Sequence, residues 1–578
     1  MQKPTIHLEL YKYSQIIIVP FLQKGCNFSM NSKINPIVIR QGMNIGKVAA
    51  EADDNYLFNC FLKTYAYEEL VDPNSPAMII SGRTGSGKTA LLRYIEETEE
   101  ACHSIDPFEM SMTYVANSDI LSFLNDIGAD LDLLFQLLWK HVLCLEFIRM
   151  RFSVEDEHAS KSLFDRLTDI FQNNSHRKEA ISYLEQYRNS FWVEMDKNVL
   201  ELLETYEKKF VAELGGEIKK ISAGINYAKQ VSKTKRENIV SRVKKIINGE
   251  QHAQLSKVMG LLKDPLVNDK MRCHFILLDQ LDQNWVDDSI RFQLIGALIE
   301  ALKKFRPIPN LKIIIALRTD VIERVAMETQ HVGSQREKMD DYSIRLQWNK
   351  EELRELIERR IALLFKRKYT TENVLFSELF PRKINDKDPF DYILKRTHMR
   401  PRDVLSFVNE CLRQTQGKSE ISAQNIKDSE KEYSRVRYQA LCQEWSSTYP
   451  SLPIIIETIS HAIHGKKFKD ISVPDVWELL VLRILEEKGV DWDKSWQIAN
   501  KAAQESSSSQ IQIFARETLA LLYRVGVISL KSMSDDYHKY SDKASPIINP
   551  SSIENETMVR LHPMLEREFG AKPEDLAT

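Results

Sequence analysis

Ala77-Met78-Ile79-Ile80-Ser81-Gly82-Arg83-Thr84-Gly85-Ser86-Gly87-Lys88-Thr89-Ala90-Leu91-Leu92 reads as a short apolar strand, a glycine-rich loop and the start of an apolar-periodic helix. Its centre, Gly82-Arg83-Thr84-Gly85-Ser86-Gly87-Lys88-Thr89, completes the pattern G-x-x-x-x-G-K-[ST]. Glycines let successive backbone N–H groups turn into one concavity, and the helix that follows adds the positive end of its dipole to the same anion site. In such a loop the lysine, Lys88, reaches the β- and γ-phosphates of a nucleotide, taken here as ATP, and the Thr89 hydroxyl binds Mg²⁺. A chance match is the alternative, but glycine occupies only 19 of 578 positions and the match falls between a strand and a helix, where coincidence is rare.

A chain of 578 residues exceeds what one hydrophobic core serves, so several domains are expected. With 43% apolar and 28% charged residues and a formal net charge of −3, it is an ordinary globular composition and not a uniformly basic nucleic-acid coat. Its seven cysteines are scattered and include no C-x-x-C pair, which fits reduced thiols in a cytoplasmic protein. No apolar run reaches the ~18 residues of a membrane span. The run Ile16-Ile17-Ile18-Val19-Pro20-Phe21-Leu22 is short and broken by proline. The nucleotide domain needs nothing before about Gly46, and Met30 and Met43 leave an upstream-extended start open.

Further along, Arg272-Cys273-His274-Phe275-Ile276-Leu277-Leu278-Asp279 reads as a buried strand ending in a carboxylate, which makes Asp279 the candidate Mg²⁺ anchor. A helical pattern through Ile290, Leu294, Leu298 and Leu302 follows, then a strand from Leu311 to Leu317 that ends in Arg318. Strands alternating with helices predict a parallel sheet covered on both faces, with its ligand beyond the carboxyl ends of the strands. Lys88 and Asp279 lie 191 residues apart, so a long insertion is expected between them. The predicted organisation is an N-terminal extension (1–45), an α/β P-loop NTPase core (46–117 and 266–348), a helical insertion (118–265), a helical lid (349–432) and a C-terminal helical, winged-helix-like domain (433–578). Asn349 reads as the N-cap of the first lid helix and Pro401 as the start of a second. The polar run Gln504 to Gln510 reads as a loop, followed by helix, strand, wing and strand.

The loop, the motif Leu278-Asp279-Gln280-Leu281-Asp282, the Arg318-ended strand, and Arg400-Pro401-Arg402-Asp403 at the head of a lid helix together resemble the AAA+ and STAND-like P-loop ATPases. The resemblance is to origin-recognition-like members and to bacterial P-loop ATPases with a long helical insert, and it spans about residues 46–430. It implies that Arg318 occupies the sensor-1 position at its strand end and Arg402 the sensor-2 position in the lid. The residue-level alternatives are a strand-end salt bridge for Arg318 and a solvated first-turn residue for Arg402. One departure stands out: those ATPases commonly carry an acid directly after the strand-end aspartate, where this chain has Gln280. Glutamine cannot take a proton, so slow, switch-like hydrolysis is expected, with Asp282 as the substitute base.

Residues 219–245 hold nine basic side chains (Lys219, Lys220, Lys229, Lys233, Lys235, Arg236, Arg242, Lys244, Lys245) against Glu237 alone, a local charge of +8. Such a stretch can lie along DNA phosphates, or be a solvated face or a protein contact. Two functional readings follow. In one the chain is an ATP-dependent switch on DNA or a DNA-bound partner, in replication, repair or phage defence. In the other it is a STAND-type signalling scaffold that binds protein and forms a homo-oligomer. Neither reading involves a membrane.

Overall fold

The computed structural model describes residues 37–114, 131–152, 250–263, 272–328 and 339–569, apart from a few short gaps within the last two stretches. The basic stretch at 219–245 lies outside the described residues. So does most of the expected insertion.

The core is a five-stranded sheet in the order β2-β3-β4-β1-β5, every pair parallel: β1 (Ile79–Gly82), β2 (Cys102–Ile105), β3 (His274–Leu278), β4 (Leu311–Arg318) and β5 (Ser343–Arg345). Strands β3 and β4 are buried along nearly their whole length because both faces are covered, and apart from His274, Lys312 and the terminal Arg318 they are apolar. Period-two alternation divides them: Phe275, Leu277, Ile314 and Ala316 face one layer with Leu91, Leu92 and Ile95, whereas Ile276, Leu278, Ile313 and Ile315 face the other. The first layer holds α2 (Lys88–Thr98), the helix that opens from the loop. The second holds α3 (Asp132–Phe152) and α4 (Asp288–Phe305). The stripe Leu134, Phe135, Leu138, Val142, Leu145 and Ile148 on α3 is buried, and the Trp139 indole donates to the Leu294 carbonyl on α4 at 2.9 Å. A helix that the sequence places in the insertion is thus one of the layers over the sheet.

Beyond the sheet come α5 (Lys350–Lys368), α6 (Pro401–Gln414) and α7 (Ala423–Trp445). Asn349 caps α5 as expected: its carboxamide accepts from Glu352 N–H at 2.8 Å while the Glu352 carboxylate accepts from Asn349 N–H at 2.9 Å. The C-terminal part packs α8 (Leu452–Ile463), α9 (Pro474–Leu485), α10 (Lys494–Glu505) and α11 (Ser508–Val525) with a three-stranded antiparallel sheet. That sheet has the order β6 (Lys466–Lys467), β8 (Met558–Leu561), β7 (Ile528–Lys531), so the last helix is followed by strand, long wing and strand in a winged-helix-like arrangement. The serine run is a helix boundary and not a long loop: α10 extends to Glu505, and Ser507 caps α11 by accepting from Gln510 N–H. Among the described residues no helix is long and apolar enough to cross a membrane.

A short helix, α1 (Asp54–Cys60), is tied to α5 by a buried ion pair, Arg360 with Asp53 at 2.7 Å. Arg360 also donates to Ile45 O, and Asp53 accepts from Lys47 N–H at 2.6 Å, so the pair fixes the segment entering the core. Truncation of one partner strands the other charge. Arg360→Ala is expected to cost about 3–5 kcal/mol of stability in denaturant unfolding, and the double replacement Asp53→Leu/Arg360→Met much less; equal losses for the two would contradict this role.

Candidate nucleotide site

The strand register sets the geometry of the site. Gly82 pairs with Arg318 across β1 and β4, and Leu278, the residue before Asp279, pairs with Ile315 one strand further on. The loop 82–89, Asp279 and Arg318 therefore meet at the carboxyl edge of the sheet, where they border one cavity of about 240 Å³. Its other walls come from the segment around Val48, from Leu57 and Phe61, from Trp348 with Leu356 of α5, and from Arg402 and Leu405 of α6.

Within the loop, Lys88 Nζ donates to Gly82 O at 3.1 Å and to Arg83 O at 3.3 Å. Burial lowers its pKa, and the nearby Asp282 and Asp279 oppose that shift. Burial raises the pKa of Asp279, against which stand a hydrogen bond with Thr89, the Gln280 N–H at 2.8 Å and the Lys88 charge. Gln280 is exposed with φ of 60°, the left-handed region that non-glycine residues seldom adopt; such outliers cluster at ligand sites and switch regions. The turn it makes brings Asp282 back to the cavity, 3.5 Å from Arg318.

Arg318 is held by both oxygens of Asp320, at 3.0 and 2.9 Å, and by Glu444 O at 3.1 Å. It thus makes the strand-end salt bridge and lines the cavity as well. Arg402 has few such ties. Its N–H donates to Gly85 O at 3.3 Å, yet its Nε finds no hydrogen-bond partner among the described residues. Burial and the neighbouring Arg400 lower its pKa. Gly85 is required here, because it has φ of +78° and a Cβ on it would lie 2.7 Å from Arg402 Cβ. A half-buried guanidinium with one nitrogen unpartnered beside the loop, together with a Thr–carboxylate pair on the same cavity, suits a phosphate chain carrying a divalent ion.

Trp348 and Glu444 escaped the sequence reading, and Arg400 entered it only as part of a motif, with no role. The Trp348 indole donates to Ser86 O at 2.7 Å, clamping the loop from the segment that follows β5. Arg400 donates to Thr84 O and pairs with Asp403 at 2.8 Å and Glu444 at 3.4 Å. Glu444, near the end of α7, thus touches both the Arg400 side chain and, through its carbonyl, Arg318. The Arg83 side chain, expected at the nucleotide, instead leaves the loop and donates to Val525 O and Arg524 O at 2.9 and 3.2 Å.

Residues 351–442 match the FunZ-associated C-terminal helical domain, which takes in α5, α6 and nearly all of α7. The chain is 20% identical over 546 residues, 93% of its length, to the transposon gamma-delta 80.3 kDa protein of Escherichia coli (strain K12), of which it covers 67%. It is also similar to a solved Walker-type ATPase of Pyrococcus abyssi, at 12% identity over 84% of this chain and 94% of that one, with a TM-score of 0.31.

The lid junction rests on Asp403, a fully buried carboxylate that pairs with Arg400 and, at 3.3 Å, with Arg437. Burial alone would raise its pKa; the two guanidinium groups and the His398 N–H at 3.0 Å more than offset this and hold it well below the ordinary carboxylate range. A depressed folded-state pKa contributes stability that is present above the unfolded value, about 3.9, and is lost as pH falls toward the folded one. Asp403→Asn is therefore expected to lower stability near neutral pH and to flatten its fall in acid, read from denaturation at a series of pH values. An unchanged acid profile would contradict the assignment.

Proposed function

We propose that the chain binds ATP with Mg²⁺ in this cavity and hydrolyses it slowly, as a nucleotide-dependent switch. The observation that carries the reading is the convergence of Lys88, the Thr89–Asp279 pair, Arg318 and the unpaired Nε of Arg402 on one cavity at the carboxyl edge of a parallel sheet. In this reading the amides of the loop from Gly82 to Gly87 cradle the phosphates and Lys88 leaves its two loop carbonyls to neutralise them. Thr89 and Asp279 would hold Mg²⁺, which would supply positive charge to offset that of the phosphates. Arg318 reaches the γ-phosphate from its strand end, and Arg402 reads occupancy from the lid.

For water activation the side chain at hand is Asp282. It borders the cavity and shares Arg318 with Asp320, so accepting a proton disturbs an existing ion pair. Gln280 can orient water but not deprotonate it. Both features favour turnover below the ~10 s⁻¹ typical of enzymes.

DNA, or a partner bound to it, is the proposed macromolecular target. Support comes from the transposon protein among the relatives, from the winged-helix-like domain and from the +8 stretch at 219–245. The domain plan 1–45, 46–117 with 266–348, 118–265, 349–432 and 433–578 is retained as part of the proposal, with α3 serving the core.

Phosphate release by purified protein, with and without duplex DNA, tests this. Lys88→Ala is expected to lose ATP binding while staying folded, Asp282→Asn to slow turnover about a hundredfold or more, and Gln280→Glu to raise it. Duplex DNA is expected to change the wild-type rate. Turnover that survives both Asp279→Ala and Asp282→Asn would remove the mechanism; indifference to DNA across a salt series would turn the partner assignment toward protein.

A further inference from the structure

The Arg83 side chain belongs to the nucleotide motif but is held by a distant part of the fold. It spans from the phosphate loop to the last turn of α11, where it donates to Arg524 O and Val525 O, and it lies 3.4 Å from Ser541 Oγ. Those carbonyls are the unsatisfied, negatively polarised end of an 18-residue helix, the end that a cation fits best. The same point is held from the lid, where His398 Nε2 contacts Gly526 O at 3.1 Å. Gly526 itself is the left-handed cap of α11, with φ of +88°. A Cβ there would lie 2.9 Å from His398 Nε2 and 3.2 Å from Arg83 Nη1. Phosphate loop, lid and C-terminal domain thus meet within one hydrogen-bonded junction.

We infer that this junction is a clasp by which nucleotide binding and docking of the C-terminal domain oppose one another. The inference rests on the nucleotide reading of the cavity. Its sign follows from where the charges already lie. With the C-terminal domain docked, Arg83 is neutralised by the carbonyl end of α11, Arg318 by Asp320 and the Glu444 carbonyl, and Lys88 lies in the field of Asp282, Asp279 and Glu444. A phosphate chain competes for all three cations. It also brings its negative charge toward Glu444 and the negative end of α11. Lys88 donates to Arg83 O, so its reach for a phosphate shifts the peptide that carries the clasp. Coupling of this kind is reciprocal: what the nucleotide does to docking, undocking does to nucleotide affinity.

Hydrogen exchange of the full chain, read over residues 520–531 with and without saturating Mg²⁺ and a non-hydrolysable ATP analogue, tests the clasp. Affinity is measured by calorimetry in the same samples. In wild type the analogue is expected to speed exchange of this segment by about tenfold or more. Arg83→Leu is expected to raise exchange without nucleotide and to abolish the response. Gly526→Ala, which wedges the junction from the other side, is expected to do the same and to bind the analogue several-fold more tightly than wild type. Thermal melts confirm that each variant is folded, and either folded variant suffices. Failure to bind the analogue would remove the nucleotide reading and the clasp with it. Binding with exchange that is unchanged or slowed in wild type, or a response retained in the variants, would overturn the clasp alone.

Discussion

A phosphate loop works only if its backbone is held open, and in this protein the holding is done from outside the loop. Its carbonyls are taken one by one: Thr84 by Arg400 and Gly85 by Arg402 N–H, both from the head of α6, and Ser86 by Trp348 beyond β5. The Arg83 side chain fixes the loop to the C-terminal helix α11. Taking up these carbonyls fixes the peptide planes of the loop where it borders the cavity. The sheet places the loop, but the contacts from lid, β5 segment and C-terminal domain decide its shape. Any motion of those parts is therefore felt at the phosphate site.

The electrostatics carry the same theme. Three cations, Lys88, Arg318 and Arg83, are matched by Asp279, Asp282, Asp320, Glu444 and a helix carbonyl end. Arg402 stands apart because its Nε is unmatched. A site built this way has much of its charge already satisfied, so in the proposed reading a nucleotide would bind by exchange of partners. Such exchange would couple the ligand to every element that supplied a partner, and would suit a switch better than a rapid motor.

Much of this was legible in the sequence because its causes are local. The loop motif, the strand that delivers Asp279, the strand that ends at Arg318 and the proline-headed helix carrying Arg402 each announce themselves within about ten residues. The C-terminal helix, strand, wing and strand followed from their order alone. What was not legible depends on long-range pairing. Strands β2 and β5 are edge strands of four and three residues with half-exposed positions, too short to show a period. Trp348 and Ser86 are 262 positions apart, and Arg83 and Val525 are 442 apart; no local pattern records such contacts. The outward turn of Arg83 is the clearest case, since the motif specifies the backbone at that position and leaves the side chain to the rest of the fold.

The measurement that bears most directly on the account is photo-affinity mapping with 8-azido-ATP in the presence of Mg²⁺ on the intact chain. If the triphosphate lies in the loop, the base must fall among the other walls of the cavity: the segment from Lys47 to Thr64, the stretch from Leu346 to Arg360, and the head of α6 from Pro401 to Leu405. The account predicts labelled peptides from those three stretches, competed by unlabelled ATP and absent from Lys88→Ala. Labelling elsewhere, or labelling that persists in that variant, would contradict it.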